Sequence, residues 1–119
     1  MNAKSTDTSI RRAQKKEKRF EEYLSGNKKS KDTLISKLTP ILKNAKGKKA
    51  ATVLLALHRL GRLVLSERGK QELYDAVNAH FGLALKNQSY QPYIRFDDRG
   101  VSYQRITDAE IVDMVRLLS

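Results

Sequence analysis

Apolar residues return every three or four positions in four separate stretches of this chain, a spacing that commits most of it to helices sharing one core. In residues 32–45 the series is Leu34, Ile35, Leu38, Ile41, Leu42 and Ala45. Residues 50–60 form the most apolar stretch. There Val53, Leu54, Leu57 and Leu60 share a face that Ala51 and Leu55 widen, so this helix is expected at the centre. Leu73, Val77 and Phe81 recur at i, i+4 and i+8, and a Thr-x-x-Glu capping box, Thr107 with Glu110, precedes Ile111, Val112, Met114, Val115, Leu117 and Leu118. Leu54, Leu57, Leu73, Val77 and Phe81 are the expected middle of the core.

The punctuation agrees with that pattern. Asp32 reads as the cap of the first stretch. Pro40, which lacks an amide proton and crowds the carbonyl of Ser36, predicts either a kink or a restart with Thr39 as a new cap. Gly61 and Gly82 close the second and third helices. Residues 83–106 admit two readings. Asn87 and Ser89 can cap a short helix with Pro92 in its first turn and Tyr90, Tyr93 and Ile94 facing inward. Alternatively, two β-prone runs flank Asp97, Asp98, Arg99 and Gly100 as a hairpin; a short helix followed by a hairpin accommodates both. The expected fold is mainly α: a small helical domain of five to six helices with a helix-turn-helix-like core and a short β-hairpin. Residues 1–29 are expected as a basic N-terminal helix or arm, and 30–119 as a single helical domain.

Charge is distributed very unevenly. The first fifty residues hold 15 lysines and arginines against 5 acidic residues, whereas the remainder holds 9 against 8. In residues 8–24 a narrow apolar stripe of Ile10, Ala13, Phe20 and Leu24 opposes Arg11, Arg12, Lys15, Lys16, Lys18 and Arg19, after which Ser25, Gly26 and Asn27 stop the helix. A positive surface this concentrated attracts a polyanion and releases counterions from phosphate backbones. Glu17 interrupts the apolar stripe, which speaks against a membrane-surface helix.

Other classes are excluded or disfavoured. The chain has no cysteine, which rules out disulfides and thiolate metal sites and suits a reducing compartment. The start of the sequence lacks the apolar core of a signal peptide, and the longest apolar run falls far short of a membrane span. A soluble, cytoplasmic protein is expected. There is no Walker loop, GxGxxG or GxSxG; His58 and His80 sit on separate helices, and Asp97 with Asp98 reads as turn chemistry. No enzyme activity, metal or cofactor is expected.

Two segments carry binding chemistry. Lys43, Lys46, Lys48 and Lys49 cluster around a glycine-containing helix start, where amides and the helix dipole also favour phosphate; a solvated linker is the plainer reading. Lys86, Asn87, Gln88, Ser89, Tyr90 and Gln91 offer donors and acceptors able to read base edges if they open a recognition helix; a polar loop capping a helix is the plainer reading here.

Three stretches, 47–61 (GKKAATVLLALHRLG), 72–82 (ELYDAVNAHFG) and 87–94 (NQSYQPYI), resemble the helical C-terminal region of RteC-type regulators of conjugative transposons and their uncharacterised relatives. The shared features are a helix ending in Leu-Gly, a helix of pattern Leu-Tyr-x6-Phe-Gly and a polar turn into an aromatic-rich segment, covering the central two fifths of the chain. The resemblance implies DNA binding through a helix-turn-helix and a regulatory or accessory role in a mobile element. On that expectation Lys46, Lys48, Lys49, Arg59 and Arg62 hold phosphates, Asn87, Gln88, Ser89 and Gln91 approach bases, and Lys86 belongs to the same nucleic-acid-binding set. Arg12, Lys15, Lys16 and Arg19 then form a nonspecific arm. Duplex DNA is the expected partner, with homodimerisation and RNA left open. The alternative is a protein-interaction module whose basic helix docks an acidic partner.

Overall fold

In the computed structural model, which describes residues 19–119, every residue from 50 to 57 is buried, and the rest of the described chain is arranged around them. A helix apolar on nearly all sides must be covered by other elements, and its one polar member here, Thr52, donates its hydroxyl to the Lys48 carbonyl at 2.8 Å. The elements in order are α1 (Phe20–Tyr23), α2 (Lys28–Leu42), α3 (Gly47–Arg59), α4 (Lys70–Phe81), α5 (Asn87–Tyr90), a hairpin of β1 (Ile94–Asp97) and β2 (Gly100–Tyr103), and α6 (Asp108–Leu118). The protein is mainly helical with one small antiparallel hairpin. Helix α6 packs along α3 and also touches α2; α5 lies against α3, and α1 against α4. No described helix is long and apolar enough to cross a membrane.

Local chemistry accounts for most boundaries. Gly61 and Gly82 adopt positive φ, +74° and +69°, where the helices α3 and α4 stop. The Thr107 hydroxyl accepts from the Glu110 amide at 3.1 Å while the Glu110 carboxylate accepts from the Thr107 amide at 3.0 Å, so both halves of the capping box form. Residues 83–106 are a short helix followed by a hairpin, with Ile94 paired to Tyr103 and Asp97 to Gly100 around Asp98 and Arg99. The Asp97 carboxylate accepts from the Arg99 amide at 2.9 Å and closes the turn.

Several expectations are corrected. The cap of α2 is Asn27, whose side chain accepts from the Ser30 amide at 2.8 Å; Asp32 sits inside the helix, paired with Lys28. Pro40 neither breaks nor restarts α2. The helix runs through it to Leu42, and the amide it lacks leaves the carbonyl of the exposed Ser36 without its i+4 donor. Thr39 caps nothing; its hydroxyl donates to the Ile35 carbonyl at 2.8 Å. Pro92 lies beyond α5, not in its first turn. Phe81 is half-buried at the edge of the core, where its ring meets Phe20 edge-on at 5.2 Å. Phe20 and Leu24 are buried in the same core as α3. Of the basic arm, Arg12, Lys15 and Lys16 lie outside the described residues.

Deep in the core, Tyr90 lies flat on Tyr74, with ring centroids 4.0 Å apart and planes 8° from parallel. Burial raises both phenols, Tyr74 to about 12. This stack anchors the one-turn helix α5 to α4 and fixes the polar segment around it.

Candidate nucleic-acid interface

Gly47 is the first residue of α3, and its backbone meets α5 so closely that a Cβ there would overlap the Ser89 carbonyl oxygen. Its φ is ordinary, so the glycine is needed for the approach and not for a special backbone conformation. The contact joins the two polar segments singled out in the sequence: 43–49 at the start of α3 and 86–91 around α5.

Helix α3 begins three residues earlier than its apolar pattern, which places Lys48 and Lys49 in its first turn with Lys46 as N-cap. No side chain caps this end and no acidic residue lies in its first turn, whereas α6 has a capping box, Asp108 and Glu110. Cations beside the positive end of a helix dipole oppose helix stability by a few tenths of a kcal/mol each. Lys43, Lys46, Lys49 and Lys86 are exposed, and none of them pairs with a carboxylate among the described residues.

Three of the expected phosphate contacts are engaged elsewhere. Lys48 reaches Glu110 at 3.2 Å and Arg59 reaches Asp108 at 2.9 Å. These cations stand about three turns apart on one face of α3 and bracket the start of α6. The Arg59 hydrogen bond, followed by that of Tyr103, holds the Asp108 carboxyl below its ordinary value; Glu110 is lowered first by the Thr107 amide and then by Lys48. Arg62 is at the opposite end of α3, donating to Ser30 Oγ at 2.8 Å and to the Ser25 carbonyl at 3.1 Å. Arg19 is exposed and reaches Glu21 at 3.5 Å.

The recognition helix is also corrected in form. Helix α5 is a single turn ending in the buried Tyr90, and the chain then enters the hairpin, so no long helix presents this segment to a groove. Within it the Ser89 hydroxyl accepts from the Lys86 amide at 3.3 Å, while Gln88 and Gln91 are exposed. Asn87 opens the turn.

The hairpin adds Arg95 and Arg99, both exposed and making no ion pair among the described residues. Sequence reasoning passed over them, although Arg95 falls between the inward Ile94 and Phe96 in the strand's two-residue alternation. The histidines serve packing: the His58 Nδ1 accepts from the Leu65 amide at 3.3 Å, and the exposed His80 ring lies against Phe81, centroids 4.7 Å apart. Comparison with protein-family models, with curated proteins and with solved structures gives no match for this chain.

Proposed function

We propose that the protein binds duplex DNA, as a regulatory or accessory factor of a mobile element, through the end where α3 begins and α5 packs against it. The observation that carries the reading is the Gly47–Ser89 contact, which joins the exposed Lys43, Lys46 and Lys49 to the segment of Lys86, Gln88 and Gln91. The surplus of charge supports it: residues 19–119 hold 18 lysines and arginines against 11 acidic residues, and only five ion pairs form among them. The mobile-element context rests on the resemblance of residues 47–61, 72–82 and 87–94 to RteC-type regulators. Because α5 is one turn long, phosphate contacts dominate and sequence preference is modest.

The test is fluorescence anisotropy with a short labelled duplex over a range of salt. Four lysine–phosphate contacts give a slope of log K against log salt near −4. Absence of binding at low salt and micromolar protein overturns the reading. Binding to poly-glutamate but not to DNA would establish the acidic-partner alternative instead.

A further inference from the structure

The opposite end of α3 carries a second surface of different chemistry. An open groove of about 430 Å³ runs between the first turns of α2, the end of α3 and the end of α6. Leu34, Leu60 and Leu118 give it apolar walls, and Lys29, Lys37 and Arg62 line it alongside them. Arg62 donates to Ser30 Oγ and the Ser25 carbonyl, both neutral, and Lys37 donates to the main-chain oxygen of Ser119 at 2.8 Å. None of the three cations meets a carboxylate side chain among the described residues. The two large apolar side chains left exposed in the described chain are Val64, at 74 %, and Leu117, at 61 %. They are sequence neighbours of the groove, two residues after Arg62 and one before Leu118.

We propose that this groove docks an acidic amphipathic helix of a partner protein. Lys29 and Arg62, which meet no carboxylate among the described residues, call for carboxylates, and the leucine walls call for apolar side chains beside them. A phosphate backbone answers only the first requirement, so this end differs from the proposed DNA surface. A small amphiphile would need enclosure, which an open groove does not provide. The lining residues belong to helices and their ends, with no strand edge for an extended peptide to pair with, and an amphipathic helix brings a backbone already satisfied to such a groove. Apolar residues at i, i+3 or i+4, and i+7 would enter between α2 and α6, with aspartates or glutamates flanking them toward Lys29 and Arg62.

The full chain is panned against a phage-displayed library of helical peptides in which the apolar face and the flanking charges vary independently. Winners should combine an apolar stripe with flanking acidic residues. A synthetic winner should perturb the NMR signals of Leu34, Leu60 and Leu118. Lys29→Gln, at an exposed side chain without a hydrogen bond or ion pair among the described residues, should weaken that peptide about tenfold while leaving affinity for duplex DNA within about twofold. No enrichment, winners without acidic bias, perturbations elsewhere, or displacement of the peptide by stoichiometric duplex would each overturn the proposal. The last outcome would instead make the groove part of the DNA surface. Because DNA binding is read separately, failure here and failure of the DNA reading are distinguishable.

Discussion

Gly47 and Ser89, distant in sequence, lie so close that a methyl group on Gly47 would overlap the Ser89 carbonyl oxygen. Gly47→Ala is therefore expected to destabilise the protein by about 1–3 kcal/mol through overpacking, even though alanine is the better helix former by roughly 1 kcal/mol. Since no charge changes, any accompanying loss of DNA affinity reports displacement of α5 from α3. A thermal midpoint equal to or above that of the parent would show that α5 is not held against α3 as described.

The free and engaged cations should separate in a salt titration. Lys46→Ala and Lys49→Ala should each flatten the slope of log K against log salt by about 0.9. Arg62→Ala should lower thermal stability while leaving the slope unchanged. Equal slope changes for all three would place Arg62 on the DNA surface and contradict its role at the far end of α3.

Glu110→Gln is expected to strengthen DNA binding several-fold at low salt. Glutamine at the third helical position preserves the capping box, while removal of the carboxylate frees Lys48 for one further phosphate and steepens the slope by about 0.9. Unaltered affinity and slope in this variant would mean that Lys48 does not face the nucleic acid.

Alkaline stability should follow the stacked tyrosines. Burial raises Tyr74 from 10.0 to about 12 and Tyr90 in the same direction, so ionisation is harder in the folded chain than in the unfolded one. Their contribution is complete below pH 10 and is lost as the pH rises toward 12 and beyond. Helical circular dichroism followed with tyrosinate absorbance should show the two changing together, and Tyr74→Phe should retain its helices to higher pH. An identical alkaline midpoint for that variant would remove Tyr74 as the cause.

Core variants should rank by burial. Leu57 is fully buried on α3, so Leu57→Ala should cost about 2–5 kcal/mol in chemical denaturation. Phe81→Ala should cost less than half as much, because its ring is half-exposed at the margin. Equal costs would contradict the placement of Phe81.

What could be read from the sequence was what neighbouring residues decide among themselves. The Thr107–Glu110 capping box, the glycine stops at 61 and 82, and the Asp98–Arg99 turn each depend on residues within one turn of one another. Asn27 and Asp32 were both chemically able to cap α2, and local pattern could not show that the helix starts early enough for its first turn to line the groove. At Pro40 the restart expected from Thr39 does not occur, because α2 runs on unbroken to Leu42. At the candidate site, the clustering of lysines was visible, but their availability was not. Lys48 and Arg59 are engaged by Glu110 and Asp108 across roughly half the chain, and only tertiary packing reveals it.

Helix α3 is 13 residues long, so its two ends stand ~20 Å apart on a rod with its middle two turns fully enclosed. A rod clamped in this way cannot bend or slide without opening the core, which leaves it poorly suited to relaying a conformational signal. It can instead hold two ligands at a set spacing and angle. A protein docked near Arg62 would be carried at a defined height and rotation above a duplex gripped near Lys46, with the geometry of the assembly fixed by the length of one helix.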